Sequence, residues 1–214
     1  MYDAYPTGFD LVELYASAGV ELSPKFNAGQ KIDSAIREWE KKTRWFPFLA
    51  GASSTRVFDP PGPRQHQAAL GGIRGGGRVL DLRGGLISLD SLIMNGQNYT
   101  QGIQFWMRPD NADLQGEPFQ EIEFFTPIMG PPQCIHVMGR WGYCAQVPED
   151  AWQAILQKAA YESKPEVEFS ITNGVAKVDD VTYASGSVSP LSAQAEQWKL
   201  KFETTAEDYR RSEF

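Results

Sequence analysis

Within Ile135–Ala159 the hydrophobic period changes from that of a strand to that of a helix. Apolar Ile135 and Val137 alternate with polar His136, the two-residue period of a half-buried strand. Gly139 and Gly142 flank Arg140-Trp141, and glycine admits backbone angles that other residues resist, so a sharp turn is expected there. Pro148 is preset for a first helical turn, and Glu149 and Asp150 suit the positive end of a helix dipole. Ala151, Trp152, Ile155, Leu156 and Ala159 then share one helix face. A β region that hands over to a helix in this way implies a mixed α+β architecture.

The flanking segments extend the same contrast. Asp10 is placed to cap a short helix bearing Leu11, Leu14, Tyr15 and Ala18, with Gly19 as its stop. A second helix over about 27–42 carries Ala28, Ile32, Ala35, Ile36 and Trp39 on one face. Its other face holds Lys31, Asp33, Arg37, Glu38 and Lys41, suited to helix-surface ion pairs. Pro47 ends this helical part. Thr55–Asp59 then reads as a strand, expected to pair with Arg78–Leu82 across a Pro- and Gly-rich loop at 60–77. Leu86–Met94 alternates and runs into Asn95-Gly96, a strong turn pair. Ile103–Met107, Gln120–Thr126 and Cys134–Val137 supply the remaining strands. After the helix at about 148–163, Phe169–Thr172 and Val175–Tyr183 form either a hairpin around Asn173-Gly174 or an extended arm. Ser189 is placed to cap a last helix over about 190–210, with Leu191, Ala195, Trp198 and Phe202 on one face. The expected organisation is an N-terminal helical pair (1–49), a β-rich insertion (50–145), a core helix (146–163) and a C-terminal helical arm (164–214).

Composition bounds the function. The net charge is −7, where a free-standing DNA binder is usually basic. Cys134 and Cys144 are the two cysteines; reduced thiols are the expectation, and a bridge across the turn is the alternative. No stretch is long and apolar enough to span a bilayer. The opening MYDAYPTGFD has neither the basic start nor the apolar core of a secretory signal, which points to the cytoplasm or a particle assembled there.

Chemical signatures are sparse. GGIRGGG at 71–77 lacks the Lys-Ser/Thr of a phosphate loop and precedes a strand, so it reads as a loop rather than a nucleotide site. Arg56, Arg64, Arg74, Arg78 and Arg83 outnumber Asp59 and Asp81, an excess of +3 that reads as ordinary solvated arginines or as a surface for DNA phosphates or a partner's acids; Arg64, Arg74 and Arg78 are the candidates in the loop region. His66 and His136 with the two cysteines match no strong zinc spacing. No G-x-S-x-G elbow is present, and Glu121 and Glu123 alternate on one strand like a solvated face. Neither an enzyme nor a cofactor is expected. Arg140, Trp141 and Tyr143 at the turn, and Trp198, Phe202 and Tyr209 on the last helix, are candidate contact residues, because buried Trp, Tyr and Arg dominate interface energetics; the alternatives are that Trp141 plugs the chain's own core and that the last helix docks on its own domain.

Four ordered patterns carry a resemblance. They are Ala35-Ile36-x-x-Trp39-Glu40, Thr55-Arg-x-Phe-Asp59 with the Leu-Asp-Leu to Gly-Gly-Leu-Ile-Ser-Leu segment at 80–89, GRWGY with VPEDAWQA across 139–154, and Tyr209-Arg210-Arg211. Together they resemble the head-to-tail connector, or adaptor, proteins of long-tailed bacteriophages and phage-derived gene-transfer particles. The chain differs from smaller, mostly helical members in its long β insertion and long C-terminal segment. The resemblance implies a structural protein of the virion neck, assembled in the host cytoplasm as a ring, typically of about twelve copies. Such a ring joins the portal protein to a stopper or tail-completion protein and extends the DNA channel, with non-specific contact to packaged DNA. Arg210 and Arg211 join the candidate subunit and portal contacts on this basis. Deleting 190–214 is then expected to abolish portal binding while leaving the fold intact. A β-rich module binding carbohydrate or protein is the alternative reading, favoured by the aromatics of the β region.

Overall fold

The structure, a computed structural model, describes residues 1–17, 20, 22–62, 74–173 and 190–210. The fold is α+β and divides into two compact units, Met1–Arg44 with Gln146–Phe214, and Trp45–Ala145.

The first unit is helical. In α1 (Gly8–Ser17) Asp10 lies inside the first turn, and its carboxylate accepts both the N–H and the hydroxyl of Thr7 at 2.6 Å. Thr7 is therefore the capping position, and Asp10 reaches back to it in the manner of a capping box. Ala18 and Gly19 lie outside the described residues. In α2 (Ala28–Thr43) the Asn27 side chain accepts the Gln30 N–H at 3.1 Å, and Arg44 ends the helix in the left-handed region. Its buried stripe is Ala28, Ile32, Ala35, Trp39 and Thr43. Helix α4 (Glu149–Asn173) outruns its expected end at 163, so 169–172 is helix and not half of a hairpin. Pro165 removes one backbone donor. The inward row of Ala159, Ala160, Ser163 and Val167 nevertheless continues past it, and packing outweighs the local break. The other half of that hairpin, Val175–Tyr183, lies outside the described residues.

Helix α5 (Pro190–Asp208) runs antiparallel to α4: Asp150 meets Tyr209, Lys158 meets Phe202, and Lys199 meets Tyr161. Its inner residues Ala195, Trp198, Phe202 and Ala206 are buried. The Phe202 ring lies 5.7 Å from Trp39 of α2, so α5 closes the unit's own core. The Tyr15 hydroxyl of α1 donates to the Ala160 carbonyl at 2.7 Å.

The second unit is one antiparallel sheet in the order β1-β6-β2-β5-β4, from β1 (Ser54–Phe58), β2 (Arg74–Met94), β4 (Phe105–Arg108), β5 (Phe119–Gly130) and β6 (Ile135–Trp141). Strand β3 (Gln97–Tyr99) pairs with β2 through the Asn95-Gly96 turn, and a one-turn helix α3 (Ala112–Gln115) precedes β5. Strand β2 spans 21 residues; its first half pairs with β5 and its second half with β6. Between them Arg83, Gly84 and Gly85 all take positive φ, the bend that lets one strand serve two neighbours. Leu82, Leu86, Leu92, Phe105, Ile122, Phe124, Ile135 and Trp141 form the core.

Three local expectations change. Strand β1 pairs with β6, not with 78–82, whose ladder partner is β5. Arg74–Gly77 begins β2 instead of lying in the loop; Gly77 donates to the Pro61 carbonyl at 2.9 Å, an approach that a Cβ would block. Gly139 sits inside β6, where a Cβ would lie 2.1 Å from the Ser88 carbonyl oxygen. It serves close strand approach, and the turn begins only at Gly142.

Candidate functional site

The Arg140–Tyr143 passage is folded into the second unit. Trp141 is 3% exposed and its indole N–H donates to the Ser54 carbonyl at 2.9 Å. The Arg56 guanidinium lies over its ring, 4.3 Å from the centroid, and donates to the carbonyls of Arg83 and Phe46 at 3.2 and 3.3 Å. Burial pulls the Arg56 pKa below its ordinary value. Arg140 donates to the carbonyls of Gly51 and Ala50, and Tyr143 packs against Trp45 and Phe48.

The arginines of 56–83 do not form one row. Arg56 is engaged as above, Arg83 donates its backbone N–H to Asp81 at 2.8 Å, and Arg78 is exposed on β2. Arg64 and His66 lie outside the described residues, and Arg74 is placed by its backbone pairing with Gly130. Beside this strand a cleft of about 420 Å³ is lined by Asp59, Asp81, Arg83 and Gln133 among others. Its acids accept backbone N–H groups: Asp81 from Arg83 two residues on, a local turn contact, and Asp59 from Gln133 in the distant β5–β6 connection. Among the described residues no group of three His, Cys, Asp or Glu side chains can hold a metal ion, and no helix is long and apolar enough to cross a membrane. Cys134 and Cys144 are free, buried thiols, and burial pushes Cys144 up to about 12.

The first unit carries a more connected arrangement. Its base joins three distant sequence stretches. Tyr209 lies 5.8 Å from the Trp39 ring, and its hydroxyl contacts both Asp150 carboxylate oxygens at 2.9 and 3.0 Å. Beside this cluster an open groove of about 810 Å³ is lined by Arg37, Lys41, Lys42, Arg44 and Arg210, with Glu38, Glu203 and Glu207. Lys42 pairs with Glu203 at 3.4 Å, Arg210 with Glu207 at 2.8 Å, and Glu38 with Lys158 at 3.0 Å. The rest of the cationic lining comes from α2 and its cap at positions 37, 41 and 44, an i, i+4, i+7 row. Sequence reasoning placed Arg37 and Lys41 on a solvated face and left Lys42 and Arg44 unassigned. The density of four cations within 37–44 was the available signal. Trp198 and Phe202 are buried beneath α5, whereas Arg210 opens onto the groove; Arg211 lies outside the described residues.

No family model and no curated protein matches the chain. Among solved structures the chain is similar to one chain from the neck of the native GTA particle computed with C12 symmetry, at 15% identity over 91% of each chain and a TM-score of 0.42. It is likewise similar to one from the neck of the empty GTA particle computed with C6 symmetry, at 15% identity over 91% of each chain and a TM-score of 0.44.

Proposed function

We propose that this chain is a structural subunit of a phage-type virion neck, an adaptor that forms a ring between the portal and the stopper or tail and extends the DNA channel. One observation carries the reading. Three of the ordered patterns that resemble the connector family, those containing Trp39, Asp150 and Tyr209, meet in a single cluster of the helical unit. Residues scattered over most of the chain's length thus support one structural feature, as expected when the patterns record a shared core and not chance. Ring assembly, the portal and tail partners, DNA contact and the virion location all belong to this proposal.

Native mass spectrometry of the full chain, alone and mixed with the portal encoded beside it, tests it. Saturating, stoichiometric binding to the portal is the expected result and gives the copy number. A chain that ignores the portal and its neighbouring tail proteins would overturn the adaptor role. A second reading, a binding module in the β unit, rests on Trp106 and Phe125, two exposed rings 5.7 Å apart. Retention of the full chain on a glycan array would favour it.

A further inference from the structure

Helix α1 has two apolar faces, and its own unit covers one of them. Leu11 and Tyr15 are buried. On the opposite side Phe9, Val12, Glu13 and Ala16 fall at i, i+3, i+4 and i+7 and are exposed, Phe9 by 69% and Val12 by 42%. A helix apolar on both sides is normally enclosed, so the outer stripe calls for a partner.

The charge around it selects that partner. Residues 1–17 contain Asp3, Asp10 and Glu13 and no Lys or Arg. The groove between α2 and α5 has the opposite character, with five cations against three acids: Lys42 and Arg210 pair with Glu203 and Glu207 inside it, and Glu38 is held by Lys158, so the lining keeps a cationic excess. The arginine and lysine stems can cover apolar side chains while their heads reach acids. The two surfaces lie at opposite ends of α2. Gly8 abuts Gly29 and Tyr15 meets Phe26 edge-on, whereas the groove begins at Arg37 and extends past Lys41. Twelve residues of helix separate Gly29 from Lys41, roughly 18 Å.

We propose that the outer stripe of α1 on one copy docks into the α2–α5 groove of the next copy. Two different surfaces at opposite ends of one subunit give a head-to-tail contact, the kind that closes into rings. This inference rests on the ring reading above and names the surfaces that would build the ring.

Engineered cysteines test it in the full chain. Val12→Cys and Lys41→Cys in one chain cannot bridge within a copy, because a disulfide needs Cα atoms roughly 4.4–6.8 Å apart. The native thiols are buried and do not compete. Mild oxidation, alone and on the portal ring, is expected to give a ladder of dimers, trimers and higher species, while each single-cysteine variant stops at dimers at most. Glu13→Lys or Lys41→Glu alone is expected to lower the multimer fraction about tenfold or more, and the two together to restore it. Multimers in native mass spectrometry without a ladder would overturn these surfaces and leave the ring reading standing. Absence of multimers alone and on the portal would overturn both. Retention of duplex DNA that Lys41→Glu abolishes while assembly is unchanged would overturn the docking and assign the groove to phosphates.

Discussion

The guanidinium of Arg56 on β1 lies over the indole of Trp141 on β6, 4.3 Å from its centroid, while donating to two carbonyls from other segments of the same unit. One side chain thereby closes the face of the core tryptophan and ties down the β2 bend at Arg83. Arg56→Ala is expected to lower stability by about 1–3 kcal/mol. Arg56→Lys is expected to recover only part of that, since an ammonium cannot stack and donate to both carbonyls at once. Urea midpoints of the three chains check this; equal midpoints would refute it.

Gly139 and Gly51 separate two reasons for finding glycine. An added Cβ at 139 would meet the Ser88 carbonyl at 2.1 Å, whereas one at 51 would meet nothing within 4 Å. Gly139→Ala is expected to cost about 2–3 kcal/mol by forcing β6 from β2, and Gly51→Ala to fall within about 0.5 kcal/mol of the parent. Thermal unfolding of both variants decides it, and a silent Gly139→Ala would show that the strands can separate freely.

Much of the fold was legible in the sequence because its signals are local. The stripe Ala28, Ile32, Ala35, Trp39 and the Asn95-Gly96 turn are each fixed by neighbours a few positions away. The misplaced features depend on distant partners. Strand β1 takes the edge of β6, a partner distant along the chain, and the first half of β2 pairs with β5 instead. Gly139 looks like a turn glycine until Ser88, far off in sequence, is seen against it. The helix expected to end at about 163 continues through Pro165, with Val167 still buried. The cationic groove was hidden for the same reason: Arg37 and Lys41 look like solvated charges until α5 brings Arg210 beside them.

Lys158 is the most enclosed cation described, with Glu38 at 3.0 Å, Glu162 at 3.4 Å and the Phe202 ring at 5.3 Å. Burial alone would lower its pKa, but the hydrogen bond and field of Glu38, joined by Glu162, hold it above the ordinary lysine value. A raised folded-state pKa contributes stability that is fully present below the unfolded value and is lost as pH rises through the folded one. Lys158→Met is therefore expected to cost about 1–2 kcal/mol at pH 7, discounted for the partly exposed glutamates. The gap between parent and variant should be constant through neutral pH and narrow above about pH 10.5. A gap that is flat to pH 12 would rule out the ionic origin.

Helix α5 supplies the last prediction, and it reverses what the sequence suggests. A C-terminal arm used only for docking could be removed without harm to the fold. Here Phe202 is fully buried, packs at 5.7 Å on Trp39, and stands beside both Lys158 and Lys42. Phe202→Ala should cost about 3–5 kcal/mol, and deleting 190–214 should unfold the helical unit by exposing Trp39 and the inner row of α4. Loss of portal binding by that truncation would then report unfolding rather than a missing contact. Hydrogen exchange of the truncated chain separates the two: loss of protection in α2 and α4 is the expected outcome. Retained protection there would make α5 a dispensable arm and return portal contact to it.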